Sequence, residues 1–331
     1  MVSERIDRIL SELLCDRSRS FLQKLIEDGN VTVDGRSIKA SYKLRPADSQ
    51  IEVLLPPLQE LKVEQEDIPL DILYEDEDVL VINKPKDMVV HPAPGHMTNT
   101  VVGAALYHCK GELSGINGVL RPGIVHRIDK DTTGSLIICK NDNAHRSLAF
   151  QLEEHSLQRS YRALVWGTFD EAEGIVDKPL GRDRKDRKRM AISTLPEGKR
   201  AVTHYRMLES FDKVSYIECR LETGRTHQIR VHMAHLGHPV LFDELYGRYK
   251  LSSNDMADEK LRSKRVRTEL AAAGLSDLSA EGIRGQCLHA MELGFAHPKD
   301  GHMVSVSAPL PEYFERLLRA LRGAGEGGEN D

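Results

Sequence analysis

An apolar run, Ser135-Leu136-Ile137-Ile138-Cys139, follows directly on a loop dense in charge and hydroxyls, Gly123-Ile124-Val125-His126-Arg127-Ile128-Asp129-Lys130-Asp131-Thr132-Thr133-Gly134. Such a stretch reads as a β-strand entered from a polar loop. Asp129 sits inside that loop, flanked by Arg127 and Lys130. Nearby cations favour the ionised carboxylate. An ionised carboxylate beside a strand can be a nucleophile, a general base or a metal ligand. An isolated Arg-x-Asp is more often a surface ion pair worth little, so the rest of the chain has to decide.

The 331 residues and 40% hydrophobic content suffice for one large core or two unequal domains. A net charge of -5 gives no overall basic footprint of the kind a nucleic-acid binder shows, but a local patch sets the field at a binding face. Residues 182–189, Arg-Asp-Arg-Lys-Asp-Arg-Lys-Arg, supply one, with Arg184, Lys185 and Arg187 as candidate phosphate contacts. The acidic end, 324–331, reads as a disordered tail. The five cysteines show no Cys-x-x-Cys spacing, so neither a zinc ribbon nor a disulfide framework is indicated. Neither a signal-peptide core nor an apolar run of membrane-spanning length stands out, and a reduced, cytoplasmic setting is expected. Nothing demands an oligomer, so a monomer is expected.

In chain order, Ile6, Ile9, Leu10, Leu13 and Leu14 fall at helical spacing behind Ser3. A second helix starts near Ser18, with Phe21, Leu22, Leu25 and Ile26 as its apolar stripe and Gly29 at its end. Val31-Thr32-Val33 then runs into the hairpin signal Asp34-Gly35, and 51–55 makes another strand. Pro56-Pro57 closes this unit, 1–58, and the polar, acidic residues 59–71 read as a linker. In the body, 72–323, Val79–Asn83 is a buried strand, and Thr98 or Asn99 caps a helix to about Tyr107. Asn141 or Asp142 caps a helix with Ala144, Leu148, Phe150 and Leu152 mostly in the core. Residues 160–166 alternate like a strand, 181–200 read as a protruding basic hairpin or loop, and Thr226 caps a helix to about Leu236. After Tyr246-Gly247 comes a charged insertion to about Gly285, partly helical at 257–273. The last helix, from Pro311, turns Tyr313, Phe314, Leu317, Leu318 and Leu321 inward. Many strands with scattered helices make the class α+β, a mostly antiparallel mixed sheet flanked by helices.

The string His126–Gly134 resembles the catalytic motif of RNA pseudouridine synthases that modify large-subunit ribosomal RNA, with Ile128 where those enzymes usually have Leu. Asn83-Lys84-Pro85 with Val90-His91-Pro92, then Arg159–Ala163, then Glu222–His232 follow in the family's order. Phe242-Asp243-Glu244-Leu245-Tyr246-Gly247 departs from the family's Gly-Asp-x-x-Tyr-Gly, which bears on the local turn. The first 58 residues resemble the RNA-binding domain named after the fourth small-subunit ribosomal protein, with Arg17, Ser18, Arg19 and Lys24 at the phosphate-binding positions.

The resemblance implies conversion of uridine to pseudouridine in structured RNA, ribosomal or transfer, without a cofactor or a metal. It makes Asp129 the catalytic carboxylate, whether it attacks the sugar, attacks the ring or helps form a glycal. It makes Tyr161 the active-site tyrosine and Arg230 the arginine paired with Asp129. Arg127 then helps flip the base, Arg225 and Gln228 are candidates for RNA contacts, and Ile229 and Leu288 are candidate walls for the uracil. Two other readings compete. His227, His232, His235 and His238, with His91, His96 and His126, could serve a metal-dependent hydrolase, but no His-Glu-x-x-His arrangement is present. A catalytically silent RNA-binding factor in ribosome assembly would have no need to keep Asp129, Tyr161 and Arg230 together.

Overall fold

The computed structural model describes residues 4–14, 19–54, 63–93, 95–116, 121–186, 188–249 and 258–326. The chain divides into two compact units, Met1–Glu60 and Leu61–Asp331.

In the first unit, helices α1 (Ile6–Leu13) and α2 (Arg19–Glu27) precede strands β1 (Val31–Val33), β2 (Arg36–Ser37) and β3 (Ile51–Val53). Asp34 and Gly35 turn the β1–β2 hairpin at φ 48° and 71°, the left-handed backbone that a two-residue hairpin turn requires. β1 is the central strand, antiparallel to both neighbours. Ile6, Leu10, Leu22, Leu25, Ile26 and Val31 form one small core. Asp7 is buried beside it and accepts from Arg5 Nε at 3.0 Å and Gln23 Nε2 at 2.7 Å, which ties the two helices together. Arg17 and Ser18 lie outside the described residues, while Arg19 and Lys24 fall on α2.

The second unit begins with a departure from expectation. Residues 63–71 do not hang free as a linker but lie along the body. Val63, Ile68 and Leu70 pack on its core. The Glu66 carboxylate accepts from Asn99 N–H at 2.6 Å and from the Thr100 N–H and hydroxyl at 3.1 and 3.2 Å. A carboxylate there meets the unpaired donors and the positive end of the following helix.

That unit holds β4 (Ile72–Glu75), β5 (Val79–Lys84), α3 (Val101–His108), β6 (Thr133–Cys139), α4 (Asp142–Glu153), β7 (Gln158–Trp166) and β8 (Glu173–Asp177). It continues with β9 (Leu180–Arg182), β10 (Met190–Ile192), β11 (Val202–Ser210), β12 (Val214–Leu221) and α5 (Gln228–His235), then α6 (Glu259–Ala272), β13 (Leu288–Ala296), β14 (Met303–Ser307) and α7 (Glu312–Glu326). One nine-stranded sheet runs β4-β5-β6-β13-β7-β12-β11-β8, with β14 beside β13. The expected α+β class holds. Among its described pairs only β6–β13 is parallel. β6 is buried at every position, which accounts for its unbroken apolar run. The five predicted residues of α7 are all buried.

Local expectations need correction at several helix starts. α3 is capped by the Thr100 side chain, which accepts from Gly103 N–H, because Asn99 is left-handed at φ 57°. α5 starts after His227, also at φ 57°, and not at Thr226. On α4, Ala144 and Leu148 are buried but Phe150 is 63% exposed. Residues 144, 148 and 152 share a face that 150 does not. The basic stretch is a hairpin, β9 against β10, with Arg184 and Lys185 exposed in its turn and Arg187 outside the described residues. α7 extends to Glu326, into the expected tail. No helix among the described residues is long and apolar enough to cross a membrane.

The parallel seam depends on one glycine. Gly134 opposes Ala290 at φ 107°, and a Cβ there would strike the Ala290 carbonyl. Gly134→Ala is expected to destabilise the protein by about 2–4 kcal/mol, from overpacking and left-handed strain together. A denaturant midpoint unchanged from wild type would contradict this.

Candidate active site

The Asp129 loop is held from beneath by a buried lysine. Lys84, at the end of β5, donates from Nζ to the carbonyls of Pro85, Met88 and Lys130 at 2.7, 2.9 and 2.9 Å. Three acceptors exhaust an ammonium's donors. Burial lowers Lys84 to about 7, against the pull of Asp131 and Asp129. Thr132 N–H closes the turn on the Asp129 carbonyl at 3.0 Å, and Gln286 Nε2 donates to Thr132 Oγ1 at 2.9 Å. Strand β6 departs from this braced loop, so Asp129 is presented at the start of a central strand.

Helix α5 brings Arg230 to it. Arg230 Nη1 donates to Asp129 Oδ2 at 2.7 Å. Its other edge is gripped by Asp243, with Nε to Oδ2 at 2.6 Å and Nη2 to Oδ1 at 2.9 Å. Asp243 also accepts from the Leu245 and Tyr246 N–H groups, both at 2.9 Å. The guanidinium fork suits this bidentate grip. Burial would raise the Asp129 carboxyl, but His227, Arg230 and Arg127 outweigh it and hold it below its ordinary value. Burial also lowers His227, against the pull of Asp129, so its share in holding Asp129 down fades as pH rises, whereas Arg230 stays charged and keeps Asp129 ionised. Asp243 follows the same logic, with burial opposed and overcome by Arg230.

His227 and Tyr246 complete the arrangement. His227 Nε2 lies 3.9 Å from Asp129 Oδ1, and its Nδ1 pairs with the Tyr246 hydroxyl at 2.8 Å. The same hydroxyl accepts from Met190 N–H at 2.7 Å, which links the basic hairpin to the site.

A cavity of about 540 Å³ opens over this row. Asp129, Tyr161, Arg230, Arg127 and Arg225 line it, with Ile229 and Leu288 as apolar walls. Tyr161 is 6% exposed on β7, and burial raises its hydroxyl, so it stays neutral. Arg127 and Arg225 are exposed, and Arg225 Nε donates to the Arg200 carbonyl at 3.0 Å. A smaller cavity of about 290 Å³ shares Arg127, Asp129, His227 and Arg230 and adds Lys188 of the basic hairpin.

Gln228 does not fit its expected part. Its Nε2 donates to Val202 O and Thr203 Oγ1, and its Oε1 accepts from Thr223 Oγ1 and Arg225 N–H. Every donor and acceptor of the amide is engaged within the protein, so Gln228 fastens α5 to β11 rather than reaching RNA. The histidine-rich segment does not converge on a metal either. His232 bonds Thr203 Oγ1 and Lys178 O, and His238 bonds Trp166 O. Among the described residues, the groupings with ligand-like spacing involve Asp76, Asp78, His297, Asp300 and His302 instead. Asp243, His227 and Lys188 stand at the site without having been assigned these places from the sequence. Asp243 was recognised in its turn motif but given no role, His227 was weighed only as a metal ligand, and Lys188 was counted only as part of the basic stretch.

The family model described as RNA pseudouridylate synthase matches residues 78–235, and that of the S4 domain matches 4–49. An uncharacterized RNA pseudouridine synthase of Bacillus subtilis (strain 168) is 46% identical, over 98% of this chain and 96% of its own. Ribosomal large subunit pseudouridine synthase D of Zymomonas mobilis is 44% identical, over 97% and 95%. In fold, human RNA Pseudouridylate Synthase Domain Containing 4 superposes with a TM-score of 0.56 at 24% identity, covering 76% of this chain and 93% of that one. On these matches the chain belongs to the RNA pseudouridylate synthase family, an isomerase acting on RNA, with an S4 domain ahead of its synthase unit.

Proposed function

We propose that the protein isomerises particular uridines of large-subunit ribosomal RNA, or of its assembly precursor, in the cytoplasm and as a single chain, with Asp129 as the catalytic carboxylate. The observation that carries this reading is the Asp129–Arg230 ion pair, 2.7 Å long, facing a cavity walled by Tyr161, Ile229 and Leu288. The substrate class draws support from relatives named as ribosomal large subunit synthases.

The reaction breaks the N1–C1′ bond, turns the uracil and joins C5 to C1′. The C5 proton leaves and N1 gains one, so atoms balance without a redox partner. The ionised Asp129 supplies the electron pair that bond cleavage requires, at the sugar, at the ring or by taking a sugar proton. Arg230 keeps that carboxylate charged and fixed, which counts because positioned groups replace solvent reorganisation. Neutral Tyr161 offers a ring face to the detached uracil and a hydroxyl to relay the C5 proton. Only 14% of the Asp129 side chain is exposed. A stacked uridine cannot bring its glycosidic carbon to such a group, so the base swings out of its helix. Arg127, exposed beside the cavity, holds the flipped state or fills the gap. The hairpin residues Arg184, Lys185 and Arg187, with Arg17, Ser18, Arg19 and Lys24 of the S4 domain, carry the backbone contacts.

Tritium release from uridine C5 in ribosomal RNA tests the reading. Asp129→Asn is expected to abolish release while RNA binding stays near wild type, and full turnover by that variant would refute the assignment. The wild-type rate at saturating RNA should show no carboxylate limb between about pH 5 and 8, because Asp129 is depressed and ionised throughout. Arg230→Gln leaves the burial and removes the cation. It is expected to lose about 3–5 kcal/mol of stability and to move the acid limb upward, and an unmoved limb would remove Arg230 from this role. Deleting residues 1–58 should weaken RNA affinity and raise the apparent KM while the remaining unit stays folded and active. A binding isotherm unchanged by the deletion would count against the S4 domain's part.

A further inference from the structure

Phe242 is fully buried, yet its backbone sits at φ 59°. Left-handed backbone is an outlier for a bulky residue, since its Cβ crowds the adjacent carbonyl. Glycine takes the same conformation freely. Phe242 immediately precedes Asp243, so the peptide between them decides where the carboxylate that grips Arg230 points.

Helix α6, inside the insertion after Tyr246-Gly247, supplies what holds that conformation. Glu269 Oε2 accepts from Phe242 N–H at 2.8 Å, and Arg265 Nη2 donates to the Phe242 carbonyl at 3.0 Å. One turn apart on the helix, Arg265 Nη1 and Glu269 Oε1 pair at 2.6 Å. Both side chains are buried. A buried ion pair adds little net stability over an apolar pair of the same size. A pair that grips both backbone groups of one residue, however, selects that residue's conformation. On the other side, Leu241 is tied into the sheet by its N–H to Leu164 O and its carbonyl to Cys287 N–H, each at 2.9 Å.

We infer that Arg265 and Glu269 are positioning residues for the active site: they hold Phe242 left-handed, Phe242 aims Asp243, Asp243 orients Arg230, and Arg230 fixes Asp129. The inference rests on the roles proposed above for Asp129 and Arg230. It gives the insertion a task in the reaction although α6 does not line the larger cavity over Asp129.

The test is the single-turnover rate of C5 tritium release at saturating ribosomal RNA, with RNA affinity and thermal melting measured alongside. R265M/E269L removes both charges at once and so leaves no unpaired charge buried. It is expected to fold, to bind RNA within about twofold of wild type, and to react about 10–100-fold more slowly, as misplacing a reacting group does. Arg265→Lys keeps the charge but has no fork to reach both Glu269 and the Phe242 carbonyl, and should slow the reaction in the same direction. Adding Phe242→Gly to R265M/E269L should raise the rate while lowering the melting temperature, because glycine needs no clamp but forfeits the ring's packing. A purely structural role would make rate and stability fall together. The inference is overturned if R265M/E269L reacts at the wild-type rate, or, where that variant does not fold, if Arg265→Lys does. It is overturned equally if Phe242→Gly fails to raise the rate of the double variant. Asp129→Asn runs in parallel. An inactive Asp129→Asn beside fully active clamp variants sinks the clamp alone, whereas turnover by Asp129→Asn sinks the site assignment itself.

Discussion

Arg230 stands between two carboxylates, and the second unit's architecture converges on keeping it there. A guanidinium buried to 5% exposure is tolerable only with its charge and its donors met. Asp243 meets one edge with two hydrogen bonds and Asp129 meets the other. The trio carries one net negative charge, on the member that faces the cavity. That asymmetry lets a buried cluster present an anion to a cavity: Asp243 is saturated by Arg230 and two backbone amides, while Asp129 keeps lone pairs on the cavity side.

Three separate parts of the chain serve this trio. Lys84 braces the loop that carries Asp129, α5 delivers Arg230, and the turn after Val240 delivers Asp243. Each is anchored by groups that have no contact with substrate in the proposed mechanism. Gln228 is the clearest example, with its whole amide given to fastening α5 against β11 and its neighbouring loop. Tyr246 joins these parts to the basic hairpin through one hydroxyl that serves both His227 and Met190.

What could be read from the sequence was what is local. The Asp129 motif, the apolar run of β6, the Asp34-Gly35 hairpin and the stripe of α7 each sit in a few contiguous residues, and each appears where expected. Contacts between distant segments were hidden. Glu66 lies in a stretch whose polarity suggests a linker, and only the fold reveals that it meets the start of α3. Asp243 was recognised in its turn motif, but its grip on Arg230, 13 residues away in sequence, shows only in the fold. The starts of α3 and α5 slipped by a residue or two because Asn99 and His227 take left-handed backbone that their side chains do not announce. Gln228 was read as an RNA contact because a polar residue in a functional motif looks available until its partners are counted.

The position of β13 in the sheet has a consequence for how the enzyme comes into being. Residues 288–296 form the strand that lies between β6 at 133–139 and β7 at 158–166. While the ribosome is still making the chain, those two strands have no central partner, and each exposes an edge that another chain could pair with. Leu288, one of the cavity's apolar walls, arrives on the same strand. The gap closes only when a segment more than a hundred residues downstream inserts, a long-range pairing of the kind that slows folding. Completion of the pocket is therefore a late event in the chain's synthesis, and a nascent chain carries the Asp129 carboxylate long before it has a pocket around it.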